Sequence, residues 1–251
     1  MNKPTKVIIN ADDLGASLKV NNAIFDLMSR RLISSATMMA NGSAIDDAIS
    51  KCKDYPYCSF GIHLNLTQFR PLIYDKRLAP LLNVAGYYQR DSVRTVSLIP
   101  DLRNAIFAEL SAQIESLKSK GVSISHIDSH HHIHTIPKLF GVVKALQSRF
   151  GINKIRLSMN VYRNSKSSIF MLKKELWNNS IRYYYKTSTT DYFTSLNDFA
   201  YIANNLVKNP RSIELMVHPG SIHNELELNI LKQGLETLCP FELRLINYNQ
   251  L

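Results

Sequence analysis

The chain has 251 residues, 45% of them hydrophobic and 20% charged, which are the proportions of an ordinary folded protein able to bury a sizeable core. Thirty Lys and Arg against 20 Asp and Glu give a net charge of +10, but the basic residues are scattered, dense only around 163–186, and no nucleic-acid-binding motif accompanies them. No stretch is apolar for long enough to span a bilayer, and the start runs into a strand-like Val7-Ile8-Ile9 rather than a secretory apolar region, so the expected compartment is the cytoplasm.

Along the chain, short β-like runs alternate with helical ones. Strands are predicted over 6–10, 33–39, 60–64, 125–129, 154–159, 213–218 and 243–248, and helices over 20–31, 45–53, 102–120, 138–150, 196–208 and 225–238. The clearest helix is 102–120, where Leu102, Ile106, Leu110, Ile114 and Leu117 make one apolar stripe and Gly121 stops it. Such alternation specifies an α/β fold with a parallel sheet covered on both faces, and about seven strands suit a barrel one unit short of eight. With no linker or repeat, 1–251 reads as a single domain. Two stretches, 67–100 and 161–194, are long for simple connections and are expected to be substrate-side insertions. The second carries Trp177 and Tyr183-Tyr184-Tyr185, which suit core packing, a sugar-stacking platform or a homodimer interface. The three cysteines, Cys52, Cys58 and Cys239, have no paired metal spacing and read as reduced packing thiols.

Polar residues cluster where the predicted strands end, which is where ligands bind in parallel α/β folds. After Val7-Ile8-Ile9 come Asn10-Ala11-Asp12-Asp13-Leu14-Gly15. Neighbouring strand residues point to opposite faces, so Asp12 and Asp13 share a pocket only if the strand ends between them, a turn that Gly15 can supply. Two adjacent carboxylates suit a cation, one binding it and the other free for proton work; the competing reading is a helix cap. In Gly61-Ile62-His63-Leu64-Asn65-Leu66-Thr67, polar His63, Asn65 and Thr67 alternate with apolar residues, as expected if that face lines a cavity.

Five of the eight histidines fall in His126-Ile127-Asp128-Ser129-His130-His131-His132-Ile133-His134. On a strand His126, Asp128 and His130 share a face, and His132 and His134 can continue toward the same space; spacing alone does not choose among them. Imidazole is the commonest metal ligand, and a carboxylate holding its second nitrogen fixes the tautomer. Met216-Val217-His218-Pro219-Gly220 leaves His218 at a strand end, and Arg156 is a charge inside a β run that either faces the pocket or pairs structurally.

Together these segments, VIINADDLG, GIHLNLT, HIDSHHHIHTIP and MVHPG, in that order over 7–220, resemble the YdjC-like carbohydrate deacetylase family, which includes bacterial chitooligosaccharide deacetylases. The resemblance implies a deformed seven-stranded (β/α) barrel and a divalent metal, usually magnesium, bound by Asp13, His63 and His130. It implies Asp12 as catalytic base and His218 as acid, acting on an N-acetylated carbohydrate. Arg156 is expected to hold Asp12 or contact the acetate, and Asn65, His132 and Asp128 to bind substrate. Chemically, two nitrogen ligands suit zinc or cobalt as well. Leu14 stands where the family usually has phenylalanine, and Arg70 precedes Pro71 where glycine is usual, which bears on substrate more than chemistry. The same residues also fit a metal-dependent esterase or phosphoesterase, or a glycan-binding barrel without catalysis.

Overall fold

All residues of the runs Ser35–Met38, Ser59–Leu64 and Ser212–Val217 are buried, so these strands are covered on both faces, as parallel strands flanked by helices must be. The protein is described by a computed structural model covering residues 3–205, 210–221 and 225–251. Its strands are β1 (Thr5–Leu14), β2 (Ser35–Met38), β3 (Ser59–Leu64), β4 (Ile124–Ser129), β5 (Tyr192–Ser195), β6 (Ser212–Val217) and β7 (Leu243–Leu245). All pair in parallel in the order β4-β3-β2-β1-β6-β5. One edge of β1 runs along β6, while the other takes β7 at Thr5–Val7 and β2 from Asn10 onward. The sheet curls, with helices α1 (Leu18–Ser29), α2 (Ile45–Cys52), α3 (Ser92–Thr95), α4 (Pro100–Ser119), α5 (Phe140–Phe150), α6 (Ser168–Tyr183), α7 (Leu196–Ile202) and α8 (Glu225–Gln233). This is a deformed (β/α) barrel.

Strand alternation sorts the side chains into two worlds. Val7, Ile9 and Ala11 of β1, with Ile213, Leu215 and Val217 of β6, join the large apolar core beneath the helices. The opposite face lines the inside of the curl. Ile8, Ile246 and Tyr248 plug one end as a small separate cluster. Above them the interior turns polar, with buried Asn10, Thr37, Asp128, Arg156 and Glu214, then Asp12 and His63. Buried polar groups persist mostly when hydrogen-bonded, and these bond to one another, with Asn10 Oδ1 left without a partner among the described residues.

The gap between β4 and β5 is filled by 153–158, predicted as a strand over 154–159. It is not a regular strand. Ile127 N donates to Lys154 O and Arg156 N to Ile127 O on one side, while Ile155 N donates to Ser188 O on the other. The pairing stops because Asn178 of α6 captures both Ser158 N and Ser158 O. The seventh strand is instead β5, from the end of the stretch read as an insertion. The interval 161–194 therefore contains a helix and a strand. The predicted 196–208 helix is α7 followed by a short 3-10 turn to Asn205, and its last residues lie outside the described ones. The 225–238 helix breaks after Gln233, where Gly234 adopts φ 88°.

Local signals explain the boundaries. Ser17 caps α1 by accepting from Val20 N, so neither Asp12 nor Asp13 serves as the cap. In α4, Pro100 opens the helix, and the apolar stripe is buried with two polar partners. Glu109 accepts from Leu72 N and Ile73 N at 3.0 Å each, and Gln113 pairs with the Asn65 backbone. These bonds pin the start of the 67–100 stretch. Gly61 has a separate duty: a Cβ there would lie 2.4 Å from His126 Cε1, whose ring stacks on Tyr248 with centroids 3.5 Å apart. Gly61→Ala should therefore lose about 1–3 kcal/mol, read as a lowered denaturation midpoint at unchanged slope.

Candidate active site

Asp12 and Asp13 both reach one cleft because Asp13 itself takes a left-handed backbone, φ 68°. Aspartate tolerates that conformation better than most residues. The turn expected at Gly15 thus occurs two residues earlier, within β1, where the register with β2 shifts. On the far side of the curl, β3 delivers His63, and β4 ends at Ser129 so that His130 begins a tight 3-10 turn. The cleft, ≈ 490 Å³, is lined by Asp12, Asp13, His63, Arg90, Asp91, Arg94, Ser129, His130, His131, His132, Met216 and His218.

Three donor atoms converge there. Asp13 Oδ1 lies 3.1 Å from His63 Nε2 and 2.8 Å from His130 Nδ1. His63 Nδ1 is 2.7 Å from Asp128 Oδ1, an acceptor when ionised, so Nδ1 carries the proton and the neutral ring turns its Nε2 lone pair toward Asp13. Asp13 Oδ1 is buried and accepts no well-formed hydrogen bond. Lone pairs meeting at such distances need a positive charge between them. Ligands at right angles around one ion, with bonds of about 2.1 Å, stand about 3 Å apart, which matches the observed spacing. Asp13, His63 and His130 therefore fit a divalent cation. In a cation-free protein a proton does the same work. Burial opposes charge on His63, but Asp128, Asp13 and Asp12 outweigh it and raise the imidazole to about 10.

Behind this set sits Arg156, fully buried. Its Nη1 and Nη2 donate to the two oxygens of Asp12 at 2.7 Å each, Nη1 also lies 2.7 Å from Asp128 Oδ2, and Nε donates to Glu214 Oε1 at 2.8 Å. Burial opposes the charge on Asp12, yet Arg156 holds its carboxyl well below the usual range. Glu214 is less favoured. Burial wins over Arg156 and pushes it up to about 7, while Tyr248 donates its hydroxyl to Oε2. Donors from Asp12, His63 and Asp128 also lie within 4.8 Å of one another, but Arg156 already supplies the positive charge there.

The expected site residues separate into two groups. Asp12, Asp13, His63, His130, His132 and His218 line the cleft. Arg156, Asp128 and Asn65 do not. Arg156 is fully buried and meets the cleft through Asp12, the position expected of a residue that holds Asp12. Asp128 accepts from Thr37 and His63 and has no exposed surface, a position suited to orienting the His63 ring. Asn65 spends its side chain on Thr67 N, Gln68 N, Gln68 O and Asn41, which makes it the organiser of its own loop. His134 turns away into the core, between Ser129 and Arg156 O, and His126 lies beneath, under Tyr248.

The 67–100 stretch contributes Arg90, Asp91 and Arg94 to the cleft wall. Lys138 Nζ donates to Arg94 O, and Arg94 donates to His131 O, which ties this wall to the histidine turn. No residue of 161–194 lines the cleft. Trp177 packs on Phe140 with centroids 5.4 Å apart, which is core packing. Glu214, Thr37 and Tyr248 were not singled out in the sequence. Glu214 had a signal, a lone carboxylate inside Ile213-Glu214-Leu215; Tyr248 had none. Glu227, whose Oε2 accepts from His218 N at 2.8 Å, comes from α8 and was equally silent.

The chain is similar to known proteins. A carbohydrate deacetylase of Geobacillus stearothermophilus is 40% identical over 147 residues, spanning 59% of this chain and 58% of that protein. A carbohydrate deacetylase of Oceanobacillus iheyensis is 30% identical over 243 residues, covering 95% of this chain and 97% of the relative. A crystal structure of an Enterococcus faecalis V583 protein named for cellobiose-phosphate cleavage superposes with a TM-score of 0.77 at 23% identity, over 99% of both chains, and so shares the fold. The sequence pattern of the family described as YdjC-like protein matches residues 6–243, a span that holds every residue of the cleft, and the chain belongs to that family.

Proposed function

We propose that the protein hydrolyses the acetyl amide of an N-acetylated sugar, with Asp13, His63 and His130 holding one divalent cation. The observation that carries this reading is the meeting of three lone-pair donors in a cleft whose wall also presents a separate carboxylate, Asp12, and a separate imidazole, His218. When bound by Asp13, His63 and His130, such a cation would polarise the acetyl carbonyl and acidify a water. Asp12, fixed through both oxygens by Arg156, takes the proton as that water attacks the carbonyl carbon. The low basicity that Arg156 imposes on Asp12 would suit a water that such a cation acidifies. His218 donates a proton to the departing nitrogen, because an amine leaves poorly without one. The C–N bond breaks, giving amine and acetate.

Two imidazoles and one carboxylate suit zinc, cobalt or a similar ion better than magnesium, which prefers oxygen shells, although the family resemblance implies magnesium. A two-metal phosphoesterase is disfavoured because Arg156 occupies the second acidic cluster. Acetate release from N-acetylated mono- and disaccharides should be lost on chelation and return with zinc or cobalt. Release indifferent to chelator would remove the cation from the account. Hydrolysis confined to aryl esters would make the protein an esterase.

A further inference from the structure

Helix α6 presents an apolar stripe that nothing among the described residues covers. Ile169, Leu172, Leu176 and Tyr183 are 69%, 56%, 59% and 82% exposed. At about 100° per residue they fall on one narrow arc of the helix, at spacings of three, four and seven residues. The opposite face is already well docked. Asn178 and Ile181 are buried, Asn178 holds the Ser158 backbone, and Lys144 Nζ donates to Ile181 O and Tyr184 O near the helix end. The outward stripe is therefore not needed to hold α6 in place.

Its surroundings are basic. Arg163, Lys166, Lys173, Lys174, Arg182 and Lys186 stand against one acidic residue, Glu175, over 163–186. Lys166, Lys173 and Lys186 are exposed, and among the described residues none of the three forms an ion pair. Lys173 flanks the stripe, one turn after Ile169. An apolar arc bordered by unpaired lysines matches an anionic bilayer surface, whose acyl region takes the leucines and whose headgroups take the ammoniums. A second copy of the chain fits worse, since a twofold contact sets Lys173 and its neighbours against the same charges. We propose that α6 docks the protein on anionic lipid membranes, a role independent of the proposed chemistry.

Co-sedimentation of the full chain with vesicles of equal phosphatidylglycerol and phosphatidylcholine, against phosphatidylcholine alone, tests this. Binding is expected to the anionic vesicles only, to weaken with salt, and to fall about 25-fold in Lys166→Gln/Lys173→Gln, at about fivefold per charge. Leu172→Glu/Leu176→Glu should abolish it while leaving acetate release from a soluble substrate unchanged, which shows that the variant is folded. Absence of binding to the anionic vesicles overturns the proposal, as does binding that the leucine variant retains. A dimer that the leucine variant splits assigns the face to a second copy and also overturns it.

Discussion

Replacing Asp12 with asparagine should lower turnover by about 10²–10⁴ with little change in KM, the usual loss when one proton-transfer group is removed. Asp12 is separate from the cation ligands. Its oxygens face Arg156 and Asn10, whereas Asp13, His63 and His130 form their own set. Metal content of Asp12→Asn should accordingly match wild type. The asparagine amide group meets the Arg156 guanidinium donor to donor, so some local rearrangement accompanies the change, and metal content measured on the same sample separates that effect from loss of the base. Near-wild-type turnover with metal in place would assign proton removal to another group.

Arg156→Met should cost about 3–5 kcal/mol of folding stability, the penalty for breaking a buried ionic cluster by removing one partner. Arg156 is the buried cation that Asp12, Asp128 and Glu214 share. Without it, three buried carboxyls lose their shared cation and must stay charged in its absence or take up protons. Proton uptake spares the variant the cost of buried charge, so the loss is smallest at acid pH and grows as pH rises toward neutrality. Denaturant titrations of wild type and variant at about pH 5, just above the ordinary carboxylate range, and at about pH 7.5 measure both features. A deficit below about 1 kcal/mol at neutral pH contradicts the shared-cation description. Turnover falls as well, because Asp12 loses its orientation, which makes Arg156 a positioning residue.

The fold was readable because its regular parts obey simple periodicities. Leu102, Ile106, Leu110, Ile114 and Leu117 repeat at helical spacing and are buried in α4, and Ile213, Leu215 and Val217 alternate with the barrel interior. The failure at 154–159 has a tertiary cause. Its residues suit a strand, but Asn178, twenty positions along, takes the backbone of Ser158 out of the ladder. β5 escaped notice because Tyr192–Ser195 is short and sits in a polar setting.

In the cleft, Asp13, His63 and His218 stood out because polar residues at the ends of buried strands require an explanation. Choosing among His130, His132 and His134 was beyond spacing. The choice depends on His131 and His132 taking left-handed backbones, φ 50° and 55°, which let His130 meet Asp13 while His134 returns to the core. Nothing in the sequence says that Thr37, His63 and Arg156 surround Asp128. Arg90 and Arg94 belong to a stretch flagged by its length alone, and their approach to the cleft depends on bonds from Glu109 and Lys138 far along the chain.

Metal content per chain, measured by mass spectrometry on wild type and His130→Ala reconstituted side by side with cobalt, addresses the cation set directly. One equivalent in wild type and a large fraction of it lost in the variant is the expected result. Two equivalents, none, or equal loading of both proteins would contradict a single ion shared by Asp13, His63 and His130.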